Sequence, residues 1–198
     1  VVVITDSGDG FYKDGSFIQH DNIPYNCGYG RSLIQELAPM LYTFKDTEFE
    51  IKNTDIINTW VEKSYLPFIY NGRTMDMVRG REISRYYEQS DFACSRILSA
   101  MLILTELSEF DILRSVIKTH LTDSFFEYAS LFAVELAEGL QEDDNIEPKE
   151  IKPYFMAFNS MDRAVKHGNG YTIGLAMHSE RTAAFESIND ENHNAYHT

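Results

Sequence analysis

The chain has 198 residues, of which 43% are hydrophobic and 13% aromatic, so it can bury a core and wholesale disorder is excluded. Its 17 Lys and Arg against 31 Asp and Glu give a formal charge of −14, which disfavours non-specific binding to nucleic acid or to an anionic membrane but permits a local basic site. No apolar run approaches the roughly 18 to 20 residues of a membrane span, and two cysteines are too few for a disulfide scaffold or a four-cysteine zinc site.

Residues 5–30 predict a long structured loop. Gly, Asp, Asn and Ser are dense there and favour turns, while interleaved aromatic residues argue against disorder. Within this segment His20 precedes Tyr25 and Tyr29, and a histidine near a tyrosine on such a loop can form a proton-transfer pair. The alternative is that His20 bonds a backbone group and that the tyrosines only pack.

Helices are predicted where apolar residues recur every three or four positions. They cover about 33–44, 56–68, 92–105, 108–121 and 123–139. Pro39 is expected to kink the first, and the string from Ser108 to Asp111 matches a capping box that would open the fourth. His120 would close that fourth helix as a cation favoured by the helix dipole, and Gly139 would cap the fifth.

A basic window lies between the second and third predicted helices. Arg73, Arg79, Arg81 and Arg85 are opposed only by two acidic residues, so residues 73–85 carry +2 in an acidic chain. Because guanidinium groups suit planar anions such as carboxylates, the window indicates an anion site. The alternative is a set of surface ion pairs with the acidic remainder of the chain.

The composition changes after Gly139. Residues 141–153 are acidic and contain two prolines, which is typical of a solvated linker. Short segments of β type follow at 154–158, 171–177 and 182–185, with turn residues between them. Helices first and strands afterwards favour two domains over alternating β/α units. The expected domains are therefore 1–140 and 154–198.

No metal or cofactor is expected. The Asp- and Gly-rich string at residues 6–10 lacks the full ligand run of an EF-hand, and the chain has no P-loop, dinucleotide glycine fingerprint or HExxH helix.

Two long strings carry a resemblance to a known family. GFYKDGSFIQH at residues 10–20 and MDMVRGREISR at 75–85 resemble polysaccharide lyase family 8, which holds the hyaluronate, chondroitin AC and xanthan lyases. Shorter matches at Tyr25, 28–30, 161–163, 174–177, 179–182, Glu186 and 189–192 run in family order across nearly the whole chain.

The resemblance implies an α+β multidomain fold. Residues 1–140 would be the C-terminal part of an incomplete α/α toroid, 141–153 a linker, and 154–198 the start of an antiparallel β-sandwich domain. The chain begins at Val1 without an initiator Met and ends without an obvious closing element, so we expect a longer parent chain. For that parent the family implies a secreted, extracellular and monomeric enzyme.

The resemblance also implies roles for individual residues. The family's catalytic His and Tyr fall on His20 and Tyr29, its substrate-binding arginines on Arg81 and Arg85, and its β-domain Glu on Glu191. The family's catalytic Asn and aromatic platform lie upstream of Val1. Residues 195–197 depart from the family's usual Gly-Trp-Tyr.

Two further residues are expected to bind substrate. Asn22 follows His20 by two positions, and Tyr87 forms with Arg85 the Arg-x-Tyr pattern by which a xanthan lyase holds an acidic sugar. The alternative for Tyr87 is an aromatic side chain on a helix face.

The implied reaction is β-elimination on an anionic polysaccharide that contains uronic acid. Tyr29 would remove the C5 proton and His20 would neutralise the carboxylate; because a free phenol has a pKa near 10, such a base needs positive neighbours. Hyaluronate or chondroitin is the first expected substrate and xanthan the second. A non-catalytic carbohydrate-binding protein and a helical protein-interaction array remain alternatives.

Overall fold

The computed structural model describes residues 3–52 and 54–193. Residues 194–198, where the departure from Gly-Trp-Tyr falls, lie outside the described part of the chain. The amino-terminal segment forms a small antiparallel sheet in the order β1-β2-β3, with β1 at Gly10–Phe11, β2 at Phe17–Gln19 and β3 at Ile23–Pro24. The sequence predicted a loop here because strands of two or three residues are too short to show an alternating pattern.

Among the described residues, the helical part contains six α-helices, joined by turns and, between the second and third helices, by a longer irregular connection. They are α1 at Tyr29–Phe44, α2 at Asp55–Trp60, α3 at Ser90–Leu104, α4 at Leu113–His120, α5 at Asp123–Tyr128 and α6 at Leu131–Glu142. Helix α1 continues through Pro39, and α3 is buried on almost every side, which makes it the centre of the helical core. The described residues contain no helix that is both long and apolar enough to cross a membrane.

Irregular helical turns connect the regular elements. After α2 the chain widens into a π-helical turn at Val61–Tyr65 and tightens into a 3₁₀ turn at Leu66–Phe68. A hairpin follows, with β4 at Ile69–Tyr70 and β5 at Arg73–Thr74. Two further 3₁₀ turns, Asp76–Val78 and Gly80–Ser84, hold the arginine-rich window.

Several helix ends differ from the sequence prediction. Ser108–Phe110 is a separate 3₁₀ turn and α4 begins only at Leu113 without a side-chain cap, so the predicted capping box is wrong. The predicted fifth helix is split into α5 and α6, because Ser130 leaves the helical conformation and its hydroxyl accepts a hydrogen bond from the Ala133 amide at 3.3 Å. Gly139 lies inside α6 and is not a C-cap.

The carboxy-terminal part is an antiparallel sheet in the order β6-β7-β8. Its strands are β6 at Tyr154–Phe158, β7 at Arg163–Gly168 and β8 at Tyr171–Ala176. The sequence missed β7, because the charged and histidine residues that it contains hide its alternation. The predicted strand at 182–185 is not formed; instead the Ala183 amide donates to the Asn22 carbonyl at 3.0 Å.

The sheet packs directly on the helical part. The rings of Phe68 and Phe158 lie 4.6 Å apart, and His167 Nε2 lies 2.8 Å from the Pro67 carbonyl oxygen. His120, predicted to be a helix-end cation, is buried at this junction, where burial first and His167 second lower its pKa to about 4. It is therefore neutral at neutral pH.

Candidate active site

His20 lies at the tip of the hairpin between β2 and β3. Its φ is +54° and that of Asp21 is +69°, a left-handed conformation that is uncommon for residues other than glycine. The Asn22 amide closes the turn by donating to the His20 carbonyl at 2.9 Å. This turn places the His20 ring edge-on to the Tyr29 ring, with centroids 5.0 Å apart.

Tyr29 is the first residue of α1, and two glycines nearby make room for the ring of Tyr25. A Cβ at Gly28 would lie 2.3 Å from Tyr25 Cδ1, and one at Gly80 would lie 2.1 Å from Tyr25 Cζ. The fully buried Tyr25 ring therefore fits between the start of α1 and the arginine window only because both positions are glycine.

Arg81 lies in the second 3₁₀ turn of the window and Arg85 directly follows that turn; both side chains point toward carboxylates of the β part. Arg81 Nη2 donates to the Tyr29 hydroxyl at 3.3 Å, and Arg81 Nε donates to Glu191 at 2.7 Å. Arg85 donates to both Glu191 oxygens, from Nε at 2.7 Å and from Nη2 at 3.1 Å. Hydrogen bonds from Arg85 and then from Arg81 hold the pKa of Glu191 below its usual range.

Glu186 joins the remaining groups, a role that the sequence pattern did not predict. Its carboxylate accepts hydrogen bonds from His20 Nδ1 and from the Tyr25 hydroxyl, and Arg81 Nη1 lies 3.0 Å from its Oε1. Burial alone would raise the pKa of Glu186, but the hydrogen bonds from Tyr25, His20 and Arg81 lower it. An ionised carboxylate only accepts, so His20 carries its proton on Nδ1 and Nε2 is the ring nitrogen left for another partner.

The sequence indicates that a glutamate near residue 190 reaches the site, but it does not tell which glutamate contacts His20. Glu186 and Glu191 lie in one short segment, and both belong to strings that match the family. Spacing alone does not tell which of them reaches His20. In the structure, Glu186 accepts a hydrogen bond from His20, and Glu191 accepts hydrogen bonds from Arg81 and Arg85.

The arginine window is largely paired. Arg79 is fully buried and its Nη1 lies 2.6 Å from Asp76, while Arg81 and Arg85 pair with glutamates from the β part. The local charge of +2 is thus offset by Glu186 and Glu191. The arginines thus pair with acidic residues, as the alternative interpretation expected, but Arg79 and Arg81 are themselves buried.

Asn22 and Tyr87 lie outside this cluster of contacts. Asn22 lines a neighbouring cleft of about 850 Å³, and Tyr87 is 58% exposed with its ring edge-on to Tyr86. Within residues 3–52 and 54–193, no hydrogen bond or ring contact joins either side chain to His20 or Tyr29.

The site is rich in proton donors and acceptors. Imidazole, phenol, guanidinium and carboxylate groups meet where the β part touches the helical part, which suits proton transfer beside a bound anion. In the described part of the chain, no group of three or more His, Cys, Asp and Glu residues has the arrangement of a metal site.

The fold joins a helical domain to an antiparallel sheet, and the imidazole, phenol, guanidinium and carboxylate groups of the site lie between them. Comparisons with known sequences identify the family that has this architecture. Residues 1–119 match the model of the polysaccharide lyase family 8 N-terminal α-helical domain, and residues 153–198 match the family 8 super-sandwich domain. The chain therefore belongs to polysaccharide lyase family 8.

Individual relatives support the same assignment. A hyaluronate lyase of Staphylococcus aureus is 31% identical over 96% of this chain and 25% of its own length. The structure of a Paenibacillus xanthan lyase matches with a TM-score of 0.92 and 34% identity over 96% of this chain and 19% of that chain. A Streptomyces coelicolor chondroitin AC lyase in complex with chondroitin sulphate matches with a TM-score of 0.83 and 28% identity, over 97% of this chain and 28% of that chain. This chain thus spans less than a third of each relative.

Proposed function

We propose that the whole protein cleaves an anionic polysaccharide containing uronic acid by β-elimination. The observation that carries the proposal is the contact between Arg81 Nη2 and the Tyr29 hydroxyl at 3.3 Å, with the His20 ring beside it. The half-buried Tyr29 hydroxyl thus has a positive charge directly beside the oxygen that would act as the base.

Each atom in the proposed step is accounted for. Deprotonated Tyr29 takes the proton from C5 of the uronate, and the C5–H electron pair forms the second bond between C4 and C5. The C4–O bond breaks with its electron pair on oxygen, which takes the proton back from Tyr29. His20 acts in this step as an imidazolium that keeps its Nδ1–H on Glu186 and donates Nε2–H to the uronate carboxylate, so it offsets the charge that develops during proton removal. No water, metal or redox cofactor takes part.

The substrate proposed first is hyaluronate or chondroitin. The supporting facts are the hyaluronate lyases among the relatives and the chondroitin AC lyase whose structure contains chondroitin sulphate. Because such polymers are extracellular, we further propose that the protein works outside the cell. We also propose that it acts as a monomer.

Xanthan is the second candidate substrate, and Tyr87 is the observation that favours it. Its ring is exposed two positions after Arg85, so it is free to contact an acidic side-chain sugar. The xanthan lyase relative has the same fold over this region. If this candidate is correct, Tyr87→Phe will raise KM for lyase-treated xanthan.

The reaction type is tested by incubating the full-length protein with hyaluronan, chondroitin and lyase-treated xanthan in heavy-oxygen water. Elimination gives an unsaturated product that absorbs in the ultraviolet and gains no oxygen from solvent at the cleaved bond. Product that contains heavy oxygen and lacks the ultraviolet absorbance would mean hydrolysis. Binding of polymer without any product would favour the non-catalytic carbohydrate-binding protein.

A further inference from the structure

Arg163 is a buried cation whose guanidinium donates hydrogen bonds to main-chain carbonyl oxygens. The first residue of β7, it is 3% exposed, and burial lowers its pKa to about 10, so it is still charged at neutral pH. Its Nε donates to the Met77 carbonyl at 2.9 Å and its Nη1 donates to the Met177 carbonyl at 2.5 Å. Nη1 also lies 3.3 Å from the Met161 and Asp162 carbonyls. Among the described residues, no carboxylate forms an ion pair with it.

The Nε group of Arg163 binds the segment that carries the arginines of the site. Met77 lies in the 3₁₀ turn Asp76–Val78, immediately before the turn Gly80–Ser84. The second turn contains Arg81, which contacts Tyr29 and Glu186. A shift of the Met77 carbonyl would therefore be transmitted over only four residues to the Arg81 guanidinium.

The Nη1 group of Arg163 binds the segment that leads to Glu186. Met177 follows β8, and its amide donates to the Asp162 carbonyl at 3.0 Å. The Asp162 carboxylate in turn accepts hydrogen bonds from the Ser179 hydroxyl at 2.5 Å and from Arg181 Nη2 at 2.7 Å. Ala183 is fixed to the Asn22 carbonyl, and Glu186 follows three residues later.

We propose that Arg163 is a positioning residue that sets the placement of Arg81 against Glu186, and so the environment of His20 and Tyr29. This inference rests on the proposed function and deepens it. Arginine suits the task because the planar guanidinium donates from Nε and Nη1 in two fixed directions, whereas a lysine ammonium on a flexible stem does not fix two carbonyls in this way. Arg163 does not itself touch the groups that would react.

The test compares three variants of the full-length protein. Arg163→Met removes both donors, Arg163→Lys keeps the charge without the fork, and Val165→Ala is the matched control. Val165 is fully buried on the same strand, so its truncation also destabilises the sheet without removing a bond to residue 77 or 177. Arg163→Met should lower kcat about 10- to 100-fold, since a displacement near 1 Å costs rate of that order. KM should change less than kcat, Arg163→Lys should recover part of the loss, and Val165→Ala should retain kcat within about twofold.

A second readout does not depend on activity. Amide hydrogen exchange of residues 76–85 and 177–186 should become at least about 10-fold faster in Arg163→Met and stay unchanged in Val165→Ala. Equal exchange in the two variants would overturn the inference. So would equal kcat in the two variants at matched folded fraction while the wild type is active. An inactive wild type would overturn the proposed function alone, and the exchange result would still decide the role of Arg163.

Discussion

Tyr25 and Tyr29 lie four residues apart and their rings touch edge to face, with centroids 4.9 Å apart, yet their surroundings differ. Tyr25 is fully buried, and burial together with its hydrogen bond to Glu186 raises its pKa well above the usual range. It remains a protonated phenol that donates to a carboxylate. Tyr29 is half-buried and its hydroxyl meets a guanidinium, so Tyr29 is the tyrosine suited to act as base.

The two glutamates of the site are expected to differ in their kinetic effect. Glu186→Gln replaces an ionised acceptor that faces His20 Nδ1 and the Tyr25 hydroxyl, so kcat should fall at least about 10-fold with a smaller change in KM. Glu191→Gln releases Arg81 and Arg85 from their shared partner and should change KM more than kcat. Steady-state kinetics of both variants at several salt concentrations would distinguish them. Wild-type kcat in Glu186→Gln would remove Glu186 from the proton-transfer network.

At the scale of elements, two glycines with different surroundings give opposite expectations. Gly80 has φ +54° and its Cβ would meet the Tyr25 ring, so Gly80→Ala should destabilise the protein by about 1–3 kcal/mol and lower activity. Gly139 lies within α6 with nothing within 4 Å of its Cβ position, so Gly139→Ala should stabilise by about 0.5–1 kcal/mol.

Urea unfolding of both glycine variants tests this contrast. A loss of stability in Gly139→Ala would favour the C-cap role that the sequence predicted. An unchanged unfolding midpoint in Gly80→Ala would contradict the packing of Tyr25 between the two glycines.

The sequence predicted the elements whose apolar period is long enough to read. Helices α1 and α3 were predicted within a few residues because their buried positions repeat over 15 or 16 residues. Strands β1 to β3 were missed because two or three residues carry no period, and the end of the fifth predicted helix was misplaced because glycine alone does not fix a cap. Within the site, His20 and Tyr29 were indicated by their spacing and by the family strings, whereas the contacts of Glu186 and Arg163 depend on tertiary structure.

At the scale of the whole molecule, the junction between helices and sheet contains a buried histidine that makes stability depend on pH. His120 is 3% exposed, its Nδ1 has no hydrogen-bond partner in the described part of the chain, and its pKa is lowered from 6.5 to about 4. The unfolded chain therefore binds more protons between these values. The contribution of His120 to the free energy of unfolding is therefore fully present above pH 6.5. It is lost as the pH falls toward 4, which lowers the free energy of unfolding by up to about 3 kcal/mol.

His120→Gln should reduce this dependence. Thermal unfolding at about pH 7 and about pH 5 should show a smaller decrease in Tm for His120→Gln than for the wild type. His178→Gln, which changes an exposed histidine in the segment after β8, should behave as the wild type. The same decrease in all three proteins would contradict the assignment to His120.

The most direct test of the account is the kinetics of Tyr29→Phe in the full-length protein. The substitution removes one hydroxyl and keeps the ring that packs against His20 and Tyr25. Its control is Tyr42→Phe, which removes a hydroxyl from a 40% exposed tyrosine on the same helix. We expect Tyr29→Phe to form the ultraviolet-absorbing product at least about 100-fold more slowly while it still binds polymer, and Tyr42→Phe to match the wild type. Turnover near the wild-type rate in Tyr29→Phe would contradict the role of Tyr29 as the base.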